Sequence, residues 1–120
     1  MNSLLAFVSR AALLVILDLP WLLATQPFTS TMIRQIQCGD DAVLRIIPAV
    51  IVYFALSYLL TVPKTGVEAF LLGSSVYAVY DFTNYATLKN YDIRFGVLDT
   101  LWGGVLMTSA FYASSYLHLV

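Results

Sequence analysis

Three aspartates lie inside stretches that are otherwise apolar enough to cross a lipid bilayer, and that pairing limits what the chain can become. Hydropathy along the sequence gives four apolar segments, at about residues 4–25, 43–62, 67–88 and 95–117. Each approaches the length of about 20 residues that a helix needs to cross the hydrocarbon core. Inside lipid the backbone must satisfy its own hydrogen bonds, so segments of this kind are helices. The reading is an all-α fold, a single four-span transmembrane helix bundle over residues 1–120. Composition agrees, with 60% hydrophobic and only 11% charged residues and a mean hydropathy of +0.82, outside the range of ordinary soluble domains. The first segment has no basic stretch ahead of it, so it is expected to be a true span rather than a signal peptide.

Several function classes lose support at once. The net charge of −1 gives no basic bias toward nucleic acid, and no GxxxxGK, GxGxxG, CxxC or HExxH pattern occurs. Cys38 is the only cysteine and His118 the only histidine, so one chain can build neither an internal disulfide nor a His/Cys metal site. No catalytic residue, cofactor or metal is assigned, and an enzyme is the less favoured reading, kept open as an alternative. Its expected partners are the lipid bilayer and further protein, as a homo-oligomer or as a subunit of a membrane complex. Four short spans leave glycine and alanine faces that one bundle cannot use up.

The connection from Gln26 to Ala42 is the longest and carries Pro27, Gly39, Asp40 and Asp41, whereas "VPKTG" makes a tight turn between the second and third spans. Those two spans are therefore expected to form an antiparallel hairpin. Arg34, Arg45, Lys89 and Arg94 flank the first and third loops, against Arg10 and Lys64 on the opposite side. This bias favours a multi-pass protein with both termini outside the cytoplasm.

Depth along each span can be reckoned from a rise of about 1.5 Å per residue. Asp18 falls past the middle of the first span, Asp81 past the middle of the third, and Asp99 about a turn into the fourth. Since the fourth span runs opposite to the other two, all three carboxylates lie in the membrane half nearest the Arg34/Arg45/Lys89/Arg94 side. Carboxylates at such depth face the bundle interior, and three in one half imply a shared polar pocket. On the third span Gly73, Ser74, Tyr77, Asp81 and Asn84 share a face, on the fourth Asp99, Gly103 and Leu106, and on the first Leu14, Asp18 and Leu22. Pro20 frees the Ile16 carbonyl within a turn of Asp18. Arg45 is the base expected to pair with a carboxylate, Arg10 is expected to snorkel outward, and Tyr91 fits an interfacial aromatic belt.

The first and fourth spans share a small repeat. "DLPW" gives Asp18 and Trp21, and "DTLW" gives Asp99 and Trp102, each at i, i+3. The tryptophans read either as an interfacial anchor and a core residue, or as walls of the acidic pocket that donate indole N–H to carboxylates.

The stretch "YDFTNYATLKNYDIRFGVLDTLWG", from Tyr80 to Gly103, together with "DLPW", resembles an uncharacterised family of predicted membrane proteins, domain of unknown function 2177. The resemblance covers the third and fourth spans closely and the first loosely. Its motif residues fall on Asp18, Trp21, Tyr80, Asp81, Thr83, Asn84, Thr87, Lys89, Asp99, Trp102 and Gly103. It implies the fold and no activity.

Three functions fit these residues. A transporter or channel for protons, cations or small polar solutes would use Asp81 and Asp99 to bind the ion and Asp18 to couple to it. The candidate ligand site is Asp18, Trp21, Arg45, Tyr77, Tyr80, Asp81, Asn84, Asp99 and Trp102. A structural or partner-binding subunit would instead keep its aspartates satisfied by neighbouring polar groups. An intramembrane aspartyl hydrolase would use Asp81 and Asp99 as a dyad, but the second motif reads "GVLD" and no proline–alanine–leucine motif follows.

Overall fold

The computed structural model describes residues 2–120. Helix α1 (Ser3–Ile36) begins where the Asn2 side chain accepts from the amides of Leu4 (2.8 Å) and Leu5 (3.3 Å). It runs through both Pro20 and Pro27 and continues about ten residues past the expected end of the first span. Along the extension Thr25, Thr29, Ser30 and Thr31 each donate to a carbonyl four residues back, so the hydroxyls of "TQPFTST" are satisfied within the helix. The helix stops at Cys38 (φ 57°) and Gly39 (φ 103°), where the Gly39 amide reaches back 2.8 Å to the Arg34 carbonyl. Beyond it Arg34 and Asp41 form an exposed ion pair of 2.8 Å.

The other helices lie close to their expected places. Helix α2 (Ile46–Leu59) is shorter than its apolar segment, α3 covers Gly66–Thr87, and α4 covers Ile93–Tyr116. Thr65 caps α3 through the Glu68 amide (3.1 Å) while Glu68 accepts from the Lys64 amide (2.6 Å). Asp92 caps α4 through the Arg94 amide (2.8 Å), and the Arg94 guanidinium beside it holds the Asp92 carboxyl below the usual carboxylate range. Among the described residues α1 alone is both long and apolar enough to cross a membrane; α2 is apolar but has 14 residues.

Helices α3 and α4 pack along their lengths because glycines let the backbones meet. A Cβ at Gly73 would strike the Gly103 carbonyl and Met107, and one at Gly104 would strike Ser74 and Phe70. Helix α1 packs on one side against α2 and on the other against α4. The expected α2–α3 hairpin does not form. The turn joins them, yet their backbones nowhere approach, and only side chains such as Leu72 and Val76 reach the common core. A tight turn fixes neighbours in sequence, while the glycine surfaces decide neighbours in space.

The core, Leu14, Leu56, Leu60, Leu106, Met107 and Ala110, occupies one half of the molecule. At that same end Arg10 is buried. Instead of snorkelling, it donates from Nε to the Ser57 carbonyl (3.2 Å) and from a terminal nitrogen to the Leu119 carbonyl (2.7 Å). Ser57 lies in the last turn of α2, where orphan carbonyls and the helix dipole favour a cation, and Leu119 follows the end of α4.

Candidate functional site

The other half of the molecule holds the carboxylates. Asp18, Asp81 and Asp99 are 4%, 0% and 6% exposed, so all three point inward. The two Asp–Trp repeats interlock. Trp21 Nε1 donates to Asp99 Oδ1 (2.8 Å) and Trp102 Nε1 donates to Asp18 Oδ1 (2.7 Å). The indoles stack with centroids 5.4 Å apart and planes 10° from parallel. The geometry follows from spacing: on antiparallel helices, two i, i+3 pairs in one register place each aspartate opposite the other helix's tryptophan.

Asp18 is complete, because Tyr53 of α2 also donates its hydroxyl to Oδ2 (2.6 Å). Asp81 is not. Tyr91 donates to its Oδ1 (2.7 Å), whereas the buried Oδ2 has no fixed donor. The Asp99 carboxyl and the Thr100 hydroxyl are its polar neighbours across the α3–α4 seam, and the Thr100 hydroxyl is likewise buried without a partner. The three acids thus divide into a pair, Asp81 with Asp99, and a single, Asp18, linked through the stacked indoles.

No base compensates them. Arg45 is exposed at the start of α2 and makes no ion pair with any of the three; the salt bridges among the described residues are Arg34–Asp41 and Arg94–Asp92. Every donor that reaches the buried carboxyls is a neutral indole or phenol. Hydrogen bonds from neutral groups soften but do not remove the cost of a carboxylate in a low-dielectric interior, about 2.5–3.5 kcal/mol for an aspartate at mid-membrane on insertion scales.

A cavity of about 750 Å³ opens where α2 and α3 stand apart. Asp18, Asp99, Trp21 and Tyr77 line its inner end, Tyr80 and Asn84 its side, and the walls are otherwise mostly aliphatic. Tyr80 is exposed and Asn84 half-buried, both one helical step from Asp81. Trp102 and Asp81 stay behind this lining, and Thr83, Thr87 and Lys89 face outward.

Two contributors escape a reading of the sequence. Tyr53 sits in the uniform apolar run of α2, and nothing local distinguishes it from Tyr58. Tyr91, expected in an aromatic belt, is 7% exposed and bonded to Asp81. Its signal was the short connection, in which Asn90 takes a left-handed backbone (φ 69°) and turns the chain back over the end of α3.

Residues 3–116 match the family model described as "Predicted membrane protein (DUF2177)". No similar chain was found among curated proteins or solved structures.

Proposed function

Because the chain belongs to this family of predicted membrane proteins, DUF2177, over all four helices, we propose that it crosses the membrane four times and binds and conducts a proton or small cation at Asp81 and Asp99. The four-span part is supported by an inverted distribution of polarity. Arg10, Asp18, Asp81 and Asp99 are buried, while Leu4, Leu23, Ile47, Val67, Leu71 and Val79 are more than half exposed. A surface of that kind suits lipid and not water. The long axis of 47 Å is also close to the full thickness of a bilayer with its headgroups, about 40–45 Å.

One observation carries the functional part: the unpartnered Oδ2 of a wholly buried Asp81 beside a second carboxyl. Two neighbouring buried carboxyls bond to each other only through a shared proton, and they repel unless a proton or cation lies between them. With no Lys or Arg at hand, the charge that balances them must come from outside the chain. Reconstitution in liposomes tests this. Asp81→Asn should fold, with its unfolding temperature little changed, and lose pH-dependent proton or cation flux. Unchanged flux would sink the reading.

Asp18 supports a different role. Both its oxygens are satisfied by Trp102 and Tyr53, so it fastens α1, α2 and α4 together in the manner of a structural subunit. The two readings divide the acids between them, with Asp18 holding the bundle and Asp81–Asp99 working within it.

The spans themselves can be checked through Cys38, the one cysteine, which is exposed in the α1–α2 connection. In sealed vesicles an impermeant maleimide should label Cys38 and, in a Cys38→Ser background, Asn90→Cys from the same side, and Thr65→Cys from the other. Labelling of Cys38 and Asn90→Cys from opposite sides would end the four-span proposal.

A further inference from the structure

We infer that the α2–α3 cavity is a binding site for a lipophilic organic cation, an aromatic or aliphatic body carrying one positive charge, with Asp99 as its counter-charge. This rests on the carboxylate site proposed above and gives it a second ligand class, reached from the cavity at Asp99, beside the proton or small cation. Size is the first argument: about 750 Å³ suits a drug-sized molecule and far exceeds what a proton or bare metal ion requires. Wall chemistry is the second. Val52, Leu56, Leu59 and Val76 give the body an apolar bed, which a hydrated ion would not use.

Charge is the third argument and fixes the sign. The charged side chains lining the cavity are Asp18 and Asp99; no Lys, Arg or His lines it. Asp18 is committed to Tyr53 and Trp102, whereas Asp99 spends Oδ1 on Trp21 and adjoins the incomplete Asp81. Trp21, Tyr77 and Tyr80 add aromatic surfaces at the same end, where a cation gains from ring quadrupoles. An anion or a neutral lipid tail would leave the carboxyl unanswered.

A proton competes for the same carboxyl, so occupancy should rise with pH. The ionisable groups facing Asp99 and the cavity are Asp81, Tyr77 and Tyr80 of α3, Asp18 of α1, Tyr53 of α2, and Tyr91 of the α3–α4 connection. None is a base that would reverse the sign.

Equilibrium dialysis of the full chain in detergent, with tetraphenylphosphonium as probe and tetraphenylborate as its size-matched anion, tests the inference. We expect saturable binding of the cation that weakens by at least about tenfold at mildly acidic pH, and no comparable binding of the anion. Asp99→Asn, which keeps an acceptor for Trp21, should lose at least about tenfold in affinity. Ala55→Trp, which sets an indole on the cavity wall and leaves every acid in place, should weaken binding by at least about tenfold even if Asp99→Asn proves unstable. Equal binding of cation and anion, or full binding by folded Asp99→Asn or Ala55→Trp, would overturn the inference. Asp81-dependent proton flux without phosphonium binding would overturn it and leave the conduction proposal standing. Phosphonium binding without flux of any ion would support it and overturn conduction.

Discussion

The two halves of the bundle solve the problem of buried charge in opposite ways. At one end Arg10 lies beside a packed apolar core and gives its hydrogen bonds to the carbonyls of Ser57 and Leu119, fixed acceptors within the fold. At the other, Asp81 and Asp99 lie together beside a cavity, and the fold supplies only part of what they need. A charge answered by the backbone is a fastening. A carboxyl pair left partly unanswered beside open space is, on the proposal above, a place for something else to bind. Substitutions at the first end should therefore change stability and spare ion movement, and substitutions at the second should do the reverse.

The largest expected effect is at the closed end. Arg10→Met keeps most of the side-chain volume but strands two buried carbonyls, each costing about 1–3 kcal/mol, so stability in denaturant titrations should fall by about 2–6 kcal/mol. Flux per folded molecule should persist. If Arg10→Met stays stable but loses flux, the division between the halves is wrong.

Next come the glycines that set the α3–α4 spacing. Gly73→Ala places a methyl against the Gly103 carbonyl and Met107; the cost should be about 1–3 kcal/mol, from overpacking. Because that spacing also brings Asp81 to Asp99, this variant should lose both stability and flux, a combination that Arg10→Met should not show.

The interlocked Asp–Trp pairs give a finer comparison. A double-mutant cycle on Trp21→Phe and Asp99→Ala should return a coupling of about 0.6–2 kcal/mol, and the cycle on Trp102→Phe and Asp18→Ala a similar value. Equal coupling energies with unequal effects on flux, large for the Asp99 pair and small for the Asp18 pair, would sharpen the assignment of binding to one acid and fastening to the other.

The smallest effects belong to the phenols. Tyr53→Phe and Tyr91→Phe each remove one hydrogen bond, worth about 0.5–1.5 kcal/mol. Tyr91→Phe should shift the pH at which flux is half-maximal upward, since a carboxylate that loses its donor binds a proton more readily; Tyr53→Phe should leave that pH in place. Identical pH profiles for Tyr91→Phe and the parent would sink the proposal that Asp81 titrates as ions are conducted.

Much of this architecture was legible before any coordinates. Apolar length located four helices, and the depths of Asp18, Asp81 and Asp99 placed them in one half of the molecule. Two i, i+3 repeats put each tryptophan on the face of its own aspartate. These features are local, because a helix of fixed rise and period decides which side chains share a face and a level. The end of α1 was also a local matter but was obscured, since Pro27 and a run of Thr and Ser read as loop until each hydroxyl is matched to the carbonyl four residues back.

Other features depended on distances between helices, which no single segment encodes. The turn at Val62–Gly66 suggested that α2 and α3 pack together. Gly73, Gly103 and Gly104 draw α3 onto α4 instead, and the cavity is the space left behind. That same choice of neighbours exchanged the Asp–Trp partners between α1 and α4, brought Tyr53 and Tyr91 to carboxyls, and left Arg45 outside. Sequence determined that this chain buries three acids at one level of a helical bundle. Tertiary packing, governed by how closely glycine-lined backbones can approach, decided that two of them meet while the third is tied, and that a cavity opens beside them.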